Sequence, residues 1–159
     1  MRSVVESYRG RRVRVFRLDR KACIARLREC AEGSLEHFPE VLEIRLFGSL
    51  ARGEARPGSD ADLLIVLQDS DCGFLERIAR FLPQFTGLGL GCDLFPYTRD
   101  ELARMRSEGN PLVQAADSDG LLLARRLIPE EPEEDAAGRS EVIGSKMCAS
   151  LQPGLSLVK

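Results

Sequence analysis

The sequence predicts a small α/β or α+β domain with three central strands. Three apolar runs carry that expectation: VLEIRLF (41–47), ADLLIVL (61–67) and CDLFPY (92–97). Segments with helical spacing of apolar residues lie between and after them, and capping or turn residues stand at most junctions. With 159 residues, 43% of them apolar and 30% charged, the chain has the length and composition of one domain with a core that needs no disulfide.

The elements follow in order. VRVF (13–16) alternates and is β-branched, which suits a short edge strand. Asp19 is placed to cap a helix through KACIARLRECAEGSLEHF, where Ile24, Leu27 and Ala31 recur at helical spacing and Pro39 stops the run. In VLEIRLF, Leu42, Ile44 and Leu46 alternate with Glu43, Arg45 and Phe47, as in a strand. SLARGE is long enough for one or two helical turns, and RPGSD reads as a turn with Pro57-Gly58 at its centre.

ADLLIVL is apolar on both faces, as a central strand covered on each side must be. DCGFLERIARFLPQF predicts a helix from about Asp71 to Leu82, TGLGLG a loop, and CDLFPY the third strand. Thr98-x-x-Glu101 is a capping box opening the helix TRDELARMRSEG, and NPLVQAADSDG is a further short helix before the apolar LLLARRL. Beyond Ile128 the Pro-Glu repeats and lack of period predict a disordered tail, so the expected division is a domain over 1–127 and a tail over 128–159.

Several function classes drop out early. Net charge is −2, so no global case for nucleic acid exists. Residues 1–30 hold ten Arg or Lys against three acids; a solvated basic surface accounts for them, with an acidic partner or nucleic acid as the sharper reading. The five cysteines are scattered without a Cys-x-x-Cys pair, which argues against a disulfide framework and a zinc site; Cys23 and Cys30 read as small core residues. His37 is the single histidine, placed near a helix end, so Ser-His-Asp catalysis has no support. No Gly-Lys-Ser/Thr exists for a P-loop, and Gly87-Leu-Gly-Leu-Gly91 precedes a strand instead of following one, unlike a dinucleotide loop. With no apolar leader and no run long enough to span a bilayer, a cytoplasmic location is expected.

The chemistry concentrates in FGSLARGEARPGSDADLLIVL (47–67). Residues i and i+2 of a strand share a face about 6.6 Å apart, so Asp60 and Asp62 present two carboxylates side by side while Ala61 points away. Two anions so close need a cation, and oxygen donors without His or Cys suit Mg²⁺ or Mn²⁺. Gly48 and Ser49, at the junction of a strand and a short helix, offer backbone N–H groups and a hydroxyl to a phosphate. Asp93 joins the acidic cluster if its strand lies beside that of Asp60 and Asp62, and two metal ions could then bind there.

Gly48-Ser49, ten residues, then Asp60-x-Asp62 leading into an apolar strand resembles the signature of the minimal nucleotidyltransferases of the DNA polymerase β superfamily. The resemblance runs over residues 41–97, with Asp93 matching the third acid. It implies a nucleotidyltransferase (DNA polymerase β-like) fold, a short mixed sheet flanked by helices. It implies AMP transfer from ATP to a hydroxyl, with Gly48 and Ser49 holding the triphosphate. Asp60 and Asp62 would ligate Mg²⁺, and Asp93 would bind metal and activate the acceptor. Arg52-Gly53 matches a run common in small members, where Arg52 would contact phosphate or partner.

Many small members are antitoxins paired with a HEPN ribonuclease toxin, which some inactivate by adding AMP to a tyrosine. A HEPN-type protein partner is therefore expected, with neither membrane nor nucleic acid, and homo- or hetero-oligomers stay open. Two alternatives remain: a stand-alone transferase for a small hydroxylated molecule such as an aminoglycoside, and an antitoxin that neutralises its partner by docking alone. Ala61 departs from the larger aliphatic residue often found between the acids, which bears on packing. No sizeable second domain follows Leu127 to build an acceptor pocket, so a separate chain would supply it.

Overall fold

A computed structural model of the chain describes residues 2–8 and 11–127, with side chains from Leu18 onward. The chain divides into units of residues 1–127 and 128–159; the expected tail falls in the second, outside the described residues, as does Cys148. The first unit holds two sheets. Strands β1 (Arg2–Tyr8) and β2 (Arg11–Arg17) form an antiparallel pair of their own. The larger sheet has the order β5-β4-β3-β6, built from β3 (Val41–Phe47), β4 (Ala61–Leu67), β5 (Cys92–Thr98) and β6 (Leu121–Arg125). β3 runs antiparallel to β4 and β6, and β4 runs parallel to β5, so the sheet is mixed.

Among the described residues, five α-helices accompany the sheets: α1 (Arg20–His37), α2 (Gly48–Arg52), α3 (Phe74–Phe81), α4 (Arg99–Ser107) and α5 (Pro111–Ser118). The expected α+β architecture is therefore present, with two corrections to its strands. VRVF is not an edge of the main sheet, because it pairs with β1, a strand the sequence reading passed over. The main sheet also has four strands and not three. LLLAR forms the fourth, an apolar run too short for its period to separate strand from helix.

β4 organises the core. Ala61, Leu63, Ile65 and Leu67 are buried against Ile24, Leu27 and Ala31 of α1, together with Phe81 and Phe85. On the other face Leu64 packs with Phe47, Leu102, Val113 and Ala116 under α4 and α5. Burial on both sides is why this strand reads as an unbroken apolar run. Cys23 and Cys30 pack at the margin of the α1 cluster, as small core residues should, and His37 is exposed at the end of α1.

The caps follow the sequence. Asp19 accepts the Ala22 N–H at 3.1 Å, and Thr98 and Glu101 close their capping box at 3.2 and 2.8 Å. Asn110 accepts the Leu112 N–H at 3.0 Å ahead of Pro111. The Arg126 guanidinium donates to the carbonyls of Leu35 and Phe38, meeting the negative end of α1.

The helix expected over residues 71–82 starts later, at Phe74. Asp69 and Ser70 side chains take the N–H groups of Ser70 and Cys72, at 2.7 and 3.3 Å, and hold that stretch as a turn. Gly73 then gives its N–H to Glu76, and residues Leu82–Phe85 tighten into a 3-10 turn at Pro83.

One buried charge fixes α3 to α4 and β5. Arg77 is 7% exposed and donates to the Cys72 and Pro96 carbonyls at 2.8 and 3.2 Å. Its other donors reach both oxygens of Glu101, at 2.6 and 3.0 Å. These bonds hold the Glu101 carboxyl below its ordinary pKa. Arg77→Ala is therefore expected to destabilise the domain by about 3 kcal/mol, since it strands a carboxylate and two carbonyls. Glu101→Gln should cost less, and its cost should shrink as pH falls. A depressed carboxyl contributes stability above its unfolded pKa and loses it as pH drops through the folded value. Urea melts of the two variants at about pH 7 and about pH 3.5 check both statements.

Candidate active site

Strand register assembles the acids. Asp62 pairs with Phe47 across the antiparallel β3–β4 ladder and with Asp93 across the parallel β4–β5 ladder. Directly paired residues point to the same face, about 4.8 Å apart between strands. Asp62 and Asp93 therefore stand side by side on the face that farther along carries Leu64 and Phe95. Ala61, fully buried, points to the α1 face.

Asp60 precedes β4 by one residue, and the Ala61 N–H donates to the Gly91 carbonyl at 2.8 Å, tying this entry to the start of β5. The Asp60 carboxylate lies over Gly91, where a Cβ would fall 2.0 Å from Oδ1. A larger residue there would push the Asp60 carboxylate aside. Gly91 is not among the expected site residues, since the Gly-Leu-Gly-Leu-Gly run reads as a loop ahead of a strand. Its one legible signal was a glycine just ahead of a strand, which marks a close approach.

Gly48 does the same for Asp62. It opens α2 with φ +72, and a Cβ there would stand 2.1 Å from Asp62 Oδ2. Here the positive φ and the close approach both require glycine. Ser49 follows in the first turn of α2, half-buried. The Gly-Ser bend and the acids are thus in contact through Gly48 and Asp62. The turn joining them is built as expected: the Ser59 N–H donates to the Arg56 carbonyl at 2.9 Å, and Gly58 at φ +94 occupies the position that needs it.

Electrostatics register the crowding. The Asp62 carboxyl is pushed above its ordinary pKa, first by burial, then by the charges of Asp93 and Asp60, while the Arg52 cation pulls it back. Arg52 itself is exposed and hydrogen-bonded to Glu54 at 2.9 Å and Asp119 at 3.5 Å. It acts on the acids through its field. Cys92, the neighbour of Asp93, is pushed up to about 11 by burial and by Cys30, Asp60 and Asp93, so it stays a thiol. As the side chains stand, no three of His, Cys, Asp or Glu among the described residues are close enough together to hold an ion.

Two arginines of α1 hold segments near the acids, one α2 and the other the loop before β5, and neither stands out in the sequence. Arg20 donates to the α2 carbonyls of Leu50 and Ala51, at 2.8 and 2.5 Å. Arg26 donates to the carbonyls of Leu88 and Gly87, both at 3.1 Å. A hollow of about 420 Å³ opens beside Asp60 between the glycines of two loops, Gly58 on one side and Gly89 and Gly91 on the other. Arg26→Ala should loosen the loop that seats Asp60. Amide hydrogen exchange is expected to rise about tenfold or more in residues 86–91 while β4 stays protected.

Comparison with known proteins gives the family. The nucleotidyltransferase domain family matches residues 27–114, more than half of the chain and all of β3, α2, β4 and β5. The chain belongs to the nucleotidyltransferase domain family. Among solved structures, a candidate nucleotidyltransferase from Sulfolobus solfataricus is 21% identical, with a TM-score of 0.49 over 67% of this chain and 84% of the other. A toxin–antitoxin structure with AMP-PNP is 22% identical, with a TM-score of 0.40 over 69% of this chain and 75% of that one. No protein of curated function matches the sequence. For this nucleotidyltransferase, no helix among the described residues is long and apolar enough to cross a membrane.

Proposed function

We propose that this nucleotidyltransferase transfers AMP from ATP to a hydroxyl group on a partner protein, as the antitoxin half of a toxin–antitoxin pair. The observation that supports the transfer is the pairing of Asp62 with Asp93 across β4 and β5, with Asp60 one residue ahead of β4 and Gly48 against the Asp62 carboxylate. Asp62, pushed above its ordinary pKa by burial and by the charges of Asp93 and Asp60, stands in a set of oxygen donors whose chemistry fits a hard divalent cation. Asp60 and Asp62 would hold Mg²⁺ and Asp93 would share it; when bound, it neutralises the acids and the phosphate charge.

Within that site Gly48 and Ser49 hold the triphosphate, glycine admitting it close to the backbone and serine donating its hydroxyl. Asp93, which is exposed, takes the acceptor's proton. The freed oxygen attacks the α-phosphorus, the bond to the bridging oxygen breaks, and pyrophosphate leaves. Arg52 lends positive field to the developing charge. Catalysis is mainly positioning and charge neutralisation.

The protein acceptor rests on the resemblance to small antitoxin members and on the open hollow beside Asp60, which admits a side chain between two glycine loops. If a small helical protein is encoded beside this chain, the purified chain with Mg²⁺ and α-labelled ATP should label it, and Asp60→Ala should abolish the label. Labelling of an aminoglycoside with no partner present would move the acceptor to a small molecule. Neutralisation of the partner undiminished in Asp60→Ala would reduce the chain to a docking protein.

A further inference from the structure

The face of the sheet under α4 and α5 carries a second cavity, of about 360 Å³. It lies toward the opposite end of the strands from the acids: Val66 and its partner Glu43 line it, four residues or about 13 Å beyond Asp62. Its apolar wall is Leu64, Val66, Leu102 and Ala103. Its charged wall holds four guanidiniums, of Arg45, Arg99, Arg106 and Arg125, against the two carboxylates of Glu43 and Asp117.

The carboxylates are already saturated. Glu43, only 8% exposed, is bonded by both Arg45 and Arg125. Asp117 takes a two-pronged bond from Arg106 at 2.7 and 2.9 Å. Arg99 reaches the Gln68 side-chain oxygen at 3.5 Å and has no carboxylate partner among the described residues. Four cations less two anions leave the lining at +2. An unbalanced cluster of guanidinium forks beside an apolar wall suits a phosphate with an organic body, and the volume is within the range of small-molecule sites.

We infer that this cavity is a second binding site, for a small phosphate-bearing anion. It is separate from the acids and does not rest on the transfer reaction. AMP and inorganic phosphate are the probes, titrated by calorimetry into the full chain in chelator and low salt. One charge reversal, Arg99→Glu, and one introduced charge, Ala103→Glu, test the site at exposed helix positions that leave the ion pairs intact, with circular dichroism melts confirming that each is folded. Binding of either probe that falls tenfold or more in both variants and persists in Asp62→Asn supports the site. AMP binding tighter than phosphate identifies an organic phosphate; equal affinity identifies the free ion. Binding of neither probe to the unaltered chain overturns the inference. So does binding that survives both variants, or that is lost in Asp62→Asn instead.

Discussion

Asp62→Asn is expected to slow nucleotidyl transfer on the order of a thousandfold while the domain stays folded and becomes more heat-stable. Both effects have one cause. Asp62 sits between Phe47 and Asp93 in the sheet, with its carboxylate against Gly48 and two further acids close by. Burial and those neighbours raise its pKa. A carboxyl with a raised pKa favours folding fully only below its unfolded value, about 4, and loses that contribution as pH rises through the folded value. At about pH 7, with no cation, the charged group opposes folding. The amide removes that charge at nearly constant shape, so Tm in chelator should rise at neutral pH and the gain should vanish at about pH 3.5. Such a trade of stability for activity is common where like charges are gathered to bind a ligand. A transfer rate within a few-fold of the unaltered protein would show that Asp62 does not act on the reacting groups.

Gly48→Ala should be nearly as damaging, by a different route. The residue has φ +72, which costs an alanine about 1–2 kcal/mol. Its new methyl would also lie 2.1 Å from Asp62 Oδ2, so the carboxylate or the bend must move. A displacement of about 1 Å in a reacting group is enough for a hundredfold loss of rate, and that is the expected size. Gly53→Ala is the control. Gly53 ends α2 at φ +82, and its nearest neighbour would be the Arg20 side chain at 3.7 Å, an ordinary contact. It should lose similar stability and keep most of its transfer rate. Equal rates for the two variants would mean that backbone strain, and not the position of Asp62, explains the effect.

How much of this was legible follows from which signals are local. Strands β3, β4 and β5, helices α1, α4 and α5, and the Pro57-Gly58 turn carry their period or cap in consecutive residues, and they formed where expected. The pairing of Asp62 with Asp93 followed from placing their strands side by side. β1 and β6 went unassigned because what makes each a strand is a partner elsewhere, β2 for one and β3 for the other. The start of α3 was misplaced because the side chains of Asp69 and Ser70 compete with the helix for backbone N–H groups. Gly91, Arg20 and Arg26 were invisible for the same reason. Their meaning lies in contacts to Asp60, α2 and the loop before β5, from 30 to 62 residues away in sequence. Arg52 was noticed, but its bonds run to Glu54 and Asp119.

The most direct measurement of whether the bend and the acids form one site is a calorimetric titration of ATP into the chain, with and without Mg²⁺, repeated on Asp62→Asn. Uptake of ATP that needs Mg²⁺ and disappears in the variant is the predicted result. Uptake that is indifferent to Mg²⁺ and unchanged in Asp62→Asn, or no uptake under either condition, would contradict it.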